Sequence, residues 1–332
     1  MSKLSAMELN QSIIEKIQLL QAKYAAMGQD LESYLDGLLY ADYLTYWDYI
    51  HVDTLLSLQS PITPFPDEEI FIMYHQITEL YFKLSLHEFK QIGSKQELEV
   101  GFLVTRLNRV NRYFEALTKS FDIMVDGMER EQFLKFRMSL LPASGFQSAQ
   151  YRMIEIHSAS FERLVDKDER ERFPEYFSKD DIPAMYEYIY WKKGATELST
   201  GKKTLTLKQF EKKYSKELIE LTQTCYDQNV WAVVKTLPEA DQKNEDLIKA
   251  LKWLDTNINV NWPLMHYKSA VRYLQKNPED IAATGGTNWQ KYLPPRFQKR
   301  IFFPSIWSEE ELNNWGKGWV EEVVFNVKKW KG

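Results

Sequence analysis

Residues 67–89 read DEEIFIMYHQITELYFKLSLHEF, a run that is apolar on most sides and carries His75 near its centre. Phe71, His75, Thr78 and Phe82 recur at i, i+4, i+7 and i+11 and share one helical stripe, while Ile70, Met73, Ile77, Leu80 and Leu84 form a second. A helix with two such stripes packs on two sides at once, which predicts a core helix in a helical protein. Asp67, Glu68 and Glu69 place negative charge in the first turn, where it complements the helix dipole, and Pro66 marks the entry. His75 taken alone is read most simply as a hydrogen-bonded core histidine. A functional role for it has to come from other residues.

Upstream, residues 8–27 carry Leu9, Ile13, Ile14, Ile17, Leu20 and Tyr24 at helical spacing with polar residues between them, a one-faced helix that needs a partner. Gly28 precedes the tyrosine-dense YLDGLLYADYLTYWDYIHVDTLLSLQSP, whose VDTLLSLQ reads as a short helix. Downstream, residues 97–124 have apolar positions at 103, 107, 110, 114 and 117, and residues 130–141 form a helix that contains Arg137 and stops at Pro142. Ser144 to Gln147 has the form of a capping box that opens a helix to about Leu164; Thr206 to Gln209 and Ser308 to Glu311 have it too. Residues 192–205, KKGATELSTGKKTL, read as a polar loop or weak hairpin. A helix over 242–258 leads to Pro263, which kinks or restarts it before His266, and 308–328 is amphipathic. With strand patterning nearly absent, no repeat and no linker, the expectation is one all-α domain over 1–332. Residues 1–36 would supply an N-terminal helix for oligomer contacts, and 276–305 an irregular loop.

At 332 residues and 44% hydrophobic content the chain can bury a sizeable core. A net charge of -5 gives no electrostatic basis for nucleic-acid binding. The single cysteine, Cys225, rules out an intrachain disulfide and a multi-cysteine metal site. MSKLSAMELNQSIIEKIQLL lacks the apolar core of a signal peptide and no window approaches a membrane span, so a soluble, cytoplasmic protein is expected. Aromatic residues make up 14% of the chain, which suits a large flat ligand as well as an aromatic core.

The histidines are His51, His75, His87, His157 and His266. His51-Val-Asp53 has the letters of a facial triad, but i and i+2 share a face only on a strand. No histidine has Glu three positions before it, as a helical di-iron site requires. His87 and His157 have charged or polar neighbours and read as solvated or cap-like. Zinc-hydrolase signatures, phosphate-binding glycine loops and G-x-S-x-G are missing. A haem held by one neutral helical imidazole, near Arg137 on an otherwise apolar helix, fits what remains. The plain alternative for His266, a structural histidine after a proline, stays open at this point.

Four blocks in order point further: YWDYIHVDTLLSLQ (46–59), FIMYHQITELYFK (71–83), FRMSLLPASGFQSAQYR (136–152), and His266 followed by Thr284-Gly-Gly. Through them the chain resembles the tryptophan 2,3-dioxygenases from about residue 43 to 295. The resemblance implies a helical fold with a haem pocket between helices. It makes His266 the proximal ligand of haem b, and His75 the catalytic distal histidine beside the substrate's indole N–H. Phe71, Tyr46 and Tyr49 would wall the indole, Arg137 would grip the carboxylate, and Thr284 would contact the amino acid end as its loop closes. Ser144 and Gly145 would line the distal side. It also implies L-tryptophan and dioxygen as substrates, N-formylkynurenine as product, and a homotetramer with N-terminal helices packed across subunits. The bland readings stand beside these: aromatic core for the rings, an ion pair for Arg137, a turn cap for Thr284. The chain departs from the family pattern with Phe133 for a tyrosine, Tyr81 for a tryptophan and AATGGTNWQKYL at the glycine loop. Two alternatives follow: a related haem oxygenase for a different or substituted aromatic amino acid, and a non-enzymatic haem-carrying helical protein.

Overall fold

A computed structural model describes residues 10–42, 44–95, 97–140, 144–173, 176–197, 200–273 and 295–316. Every regular element among them is helical; the isolated antiparallel bridges Val165 to Ile189 and Thr196 to Lys203 are the nearest approach to a sheet. The second bridge lies in the segment read as a loop or weak hairpin. The chain divides into two compact units, residues 1–59 and 60–332.

The first unit contains α1 (Gln11–Ala26), α2 (Leu31–Leu39), α3 (Tyr46–Ile50) and α4 (Val52–Leu55). The N-terminal segment is therefore two helices and not one. Gly28 takes φ +66, a left-handed conformation that ends α1, and Asp30 starts α2 by accepting the Ser33 N–H at 3.0 Å. None of these helices has a buried residue.

The second unit is built on α5 (Asp67–Ser94). Its entry is fixed by two carboxylates. Glu68 accepts the N–H groups of Ile62 and Thr63 at 3.0 and 2.8 Å, and Asp67 accepts that of Glu129 at 2.6 Å. Thr78 and Phe82 are buried as their stripe requires, with Phe71 and His75 half-buried. The other stripe differs from expectation: Met73, Ile77, Leu80 and Leu84 are 39, 43, 48 and 45% exposed. The neighbours of α5 pack on its first face, so within one chain the second faces outward. The main partner is α6 (Val100–Ser120), whose Leu103, Leu107, Val110, Phe114 and Leu117 are all 0% exposed, the face that the spacing predicts. The expected 97–124 helix breaks at Phe121 into α6 and α7 (Asp122–Asp126), and α8 (Arg130–Ser139) carries Phe133 and Arg137.

Capping set the remaining boundaries. The Ser144 box forms, with the Ser144 N–H on Gln147 Oε1 at 3.3 Å, yet it closes a single 3-10 turn, Gly145–Gln147. Ser148 then caps α9 (Ala149–Ser158), which stops well before Leu164. After α10 (Ile182–Tyr186) and α11 (Tyr190–Gly194), α12 (Leu205–Thr224) is capped by Thr204, not Thr206. The Thr204 hydroxyl accepts the Leu207 N–H at 3.3 Å and donates to the Ala195 carbonyl at 2.9 Å, whereas Thr206 lies buried inside the helix.

Beyond α13 (Val230–Thr236) and α14 (Glu239–Gln242), α15 (Glu245–Thr256) runs through a π turn, Asn257–Asn261, directly into α16 (Trp262–Tyr273). This answers what Pro263 does. Its ring would clash with the carbonyl four residues back, and the wider turn, with the Trp262 N–H on the Asn257 carbonyl, relieves that contact. Tyr151 OH donates to the Ile258 carbonyl in that turn at 2.8 Å. Just before it, Asp255 accepts the N–H groups of Phe302 and Phe303 at 3.0 and 3.2 Å and the Trp307 indole N–H at 3.1 Å. That binds the segment between α17 (Pro295–Gln298) and α18 (Glu309–Asn313) to the core, and α18 has the expected Ser308 box. Thr284, most of the 276–305 segment and the expected helix beyond 316 lie outside the described residues.

Candidate functional site

A cavity of about 350 Å³ opens within the second unit, in the size range of small-molecule sites. Phe71 and His75 reach it from α5, Phe133 and Arg137 from α8, Ser144 and Gly145 from the 3-10 turn, Tyr151 and Arg152 from α9, and Trp262 and His266 from α16. Six residues singled out from sequence, Phe71, His75, Arg137, Ser144, Gly145 and His266, thus share one chamber. Tyr46 and Tyr49 stand on α3 in the first unit, each 72% exposed. Thr284 is outside the described residues.

The two imidazoles are held alike. His75 Nδ1 lies 2.7 Å from the Phe71 carbonyl and His266 Nδ1 lies 3.1 Å from the Trp262 carbonyl, each one helical turn back. A carbonyl oxygen only accepts, so in both rings the proton sits on Nδ1 and Nε2 keeps its lone pair. Burial pushes both pKa values down, that of His266 to about 4, which keeps the rings neutral at physiological pH. The charge of Arg152 acts on His266 in the same direction. The His75 ring leans on Phe71 at 4.1 Å; His266 sits against Trp262 and Phe121 at 4.6 and 4.7 Å. A Cβ added at Gly145 would stand 3.9 Å from His75 Nε2, so the bare backbone there leaves that nitrogen accessible. Arg137 is 9% exposed, and burial alone lowers its pKa from a value high enough that it stays a cation.

Farther along the wall, Arg152 and Arg300 meet Glu155 and Tyr190. Arg152 Nη1 lies 3.1 Å from Glu155 Oε2 and 2.8 Å from Tyr190 OH, Tyr190 OH donates to Glu155 Oε1 at 2.5 Å, and Arg300 Nη1 contacts Glu155 Oε1 and Tyr190 OH. Reading the sequence assigned no role to this group. Arg152 and Glu155 at i and i+3 are a legible helical pair, whereas Arg300 belongs to a segment read only as irregular.

His157 also differs from expectation. It is buried, stacked on Phe89 at 6.1 Å, with Nδ1 3.3 Å from Cys225 Sγ. Burial lowers the histidine to about 4 and raises the thiol to about 12, so the pair is neutral and not an activated thiolate. An acid-stability prediction follows. Between the ordinary imidazole value of 6.5 and about 4, the unfolded chain binds protons that folded His157 and His266 refuse. The stability that these two rings contribute to the haem-free protein is therefore present above pH 6.5 and lost as pH falls toward 4, on the order of 3 kcal/mol per ring. Urea titrations across this window should show a shallower pH slope for His157→Gln; an unchanged slope would mean that ring titrates normally.

Among the described residues no group of three or more His, Cys, Asp and Glu could cage a bare metal ion, and no helix is long and apolar enough to cross a membrane. The sequence model of the tryptophan 2,3-dioxygenase family matches residues 38–257, well over half of the chain, a span that holds His75, Arg137 and Ser144 and ends before His266. A tryptophan 2,3-dioxygenase of Bacillus thuringiensis subsp. konkukian is 29% identical over 274 residues, covering 80% of this chain and 91% of that protein. One from Polaromonas naphthalenivorans is 40% identical over 113 residues, 34% of this chain and 40% of that protein. With the family's span matched across α5, α8 and α9, and with a relative aligned along most of both chains, this protein belongs to the tryptophan 2,3-dioxygenase family.

Proposed function

We propose that the protein is a haem-dependent dioxygenase that opens the indole ring of L-tryptophan. One atom of dioxygen goes to C2 and the other to C3 as the bond between them breaks, giving N-formylkynurenine. The observation that supports this most directly is the pair of neutral imidazoles, each with a bare Nε2, in one aromatic chamber with a buried guanidinium. The donor set fits haem b: a neutral imidazole oriented by a carbonyl on its other nitrogen is a good iron ligand, and His266 is the residue that would hold it. The bound haem supplies the activation of dioxygen.

The remaining roles belong to side chains. His75 Nε2 accepts the indole N–H and sets the ring's orientation. Phe71 and Phe133 enclose the ring and keep water away. Arg137 takes the substrate carboxylate in a bidentate grip. Ser144 lines the distal side and Gly145 keeps it open. Thr284, Tyr46 and Tyr49 join the substrate contacts on the strength of the family resemblance. Gly145→Ala should be tolerated, because 3.9 Å is ordinary van der Waals contact. Gly145→Val pushes methyl groups toward His75 and is expected to raise KM for tryptophan ~10-fold, the effect of a modest overpacking, with the haem spectrum unchanged.

An absorbance spectrum of protein expressed with a haem precursor, followed by turnover of L-tryptophan under oxygen, tests the reading. Absence of bound haem, or bound haem without N-formylkynurenine, would sink it. Product from a substituted analogue alone would move the assignment to the related oxygenase, a reading favoured by Phe133, whose ring lines the cavity without a hydroxyl. Haem that never responds to any amino acid would mark a carrier.

The same reading makes the protein a cytoplasmic homotetramer. It is supported by apolar surface left open in the single chain: the Met73, Ile77, Leu80, Leu84 stripe of α5, and Leu19 and Leu20 of α1 at 71 and 40% exposure. Sedimentation velocity checks it, and a monomer at micromolar concentration would count against it.

A further inference from the structure

Among the described residues, the wall formed by Arg152 and Arg300 holds more positive charge than its neighbours oppose. Arg152 and Arg300 are 8 and 6% exposed and both line the cavity. Among the described residues the carboxylate within ion-pair reach of either is Glu155, and they share it. Tyr190 adds no negative charge, because burial holds its pKa well above the usual phenol value. Two buried cations against one buried anion leave an excess of one positive charge. Buried charge is tolerated when it is paired and its donors are used. Here Arg152 Nε and Arg300 Nε have no hydrogen-bond partner. The rings of Tyr151, Phe146 and Trp191, 5.2, 5.3 and 5.4 Å from Arg152 Cζ, ease the charge through their faces, and the Tyr151 hydroxyl, itself neutral, hydrogen-bonds to Arg300. The pattern is that of an anion site, reached through the cavity. Paired guanidiniums match a carboxylate best.

We infer that Arg152 and Arg300 anchor a carboxylate arm of the porphyrin, fixing the ring within the chamber that holds His266. The inference rests on the haem reading above and adds to it the polar residues that orient the cofactor. Tyr190 and Glu155 are positioning residues: they hold the two guanidiniums together and do not meet the carboxylate themselves.

The full chain, prepared without haem, is titrated by absorbance with iron protoporphyrin IX and with its dimethyl ester, in wild type and in Arg300→Met and Arg152→Met. The wild type should bind the ester ~10- to 100-fold more weakly than the diacid, the loss expected for hydrogen bonds to a charged group. Each variant should lose a similar factor for the diacid and little for the ester, so that discrimination collapses. Equal binding of diacid and ester by the wild type overturns the inference without reference to any variant, so a misfolded variant cannot rescue it. Full discrimination retained in both variants overturns it too. Weaker tryptophan binding in Arg300→Met, with porphyrin discrimination intact, assigns the site to the substrate's carboxylate instead. Failure of the wild type to bind either porphyrin removes the haem reading itself.

Discussion

Replacing His266 with alanine is expected to give a folded protein that no longer retains haem. The ring stands at the cavity wall, neutral, with its Nδ1 proton directed to the Trp262 carbonyl, which leaves Nε2 as the imidazole nitrogen available to iron. The ring packs on Phe121 and Trp262, so its loss also leaves a small void costing about 1–3 kcal/mol, too little to unfold a domain of this size. Haem content after gel filtration, read against the far-ultraviolet circular dichroism of the same sample, measures the effect. Added imidazole should enter the vacated space and restore part of the haem spectrum, which a folding defect would not permit. Stoichiometric haem with an unshifted spectrum in His266→Ala would refute the ligand assignment.

Arg137→Ala should do the opposite, keeping haem while losing the substrate. A buried guanidinium that grips a carboxylate through two parallel hydrogen bonds contributes about 2–4 kcal/mol, so KM for L-tryptophan should rise ~100-fold. The haem spectrum without substrate should not move. Tryptamine, which lacks the carboxylate, distinguishes this from general damage: it should bind wild type and variant alike. If tryptamine binds the wild type as tightly as tryptophan does, Arg137 is not the carboxylate's partner.

Legibility from sequence tracked how local the governing interaction was. The inward face of α6 was readable residue by residue, because 3.6 residues per turn dictate it within one element. The Ser308 box was readable for the same reason. Thr206 misled because the letters of a capping box are common, and the choice fell to Thr204 through a contact with Ala195 that no local pattern reveals. The second stripe of α5 was correctly seen as apolar, but whether such a stripe is covered depends on what the rest of the chain, or another chain, brings to it. His157 was read as solvated because its sequence neighbours are polar, whereas Phe89 and Cys225, distant in sequence, enclose it.

By itself the sequence determined the all-helical class, the main helices, the family, and the short set of residues worth testing, since periodicity, caps and motif blocks are written in neighbouring letters. The tertiary structure decided what those residues can do. The Asn257–Asn261 π turn, which the sequence around Pro263 left open as a kink or a restart, carries α15 directly into α16, the helix from which His266 reaches the cavity. Folding also set both imidazole tautomers, by placing a carbonyl at each Nδ1, and joined Arg300 to Glu155 across 145 residues of chain, which sets two guanidiniums against one carboxylate among the described residues. Charge and tautomer in a closed chamber depend on every element that bounds it, which is why only the packed chain could specify them.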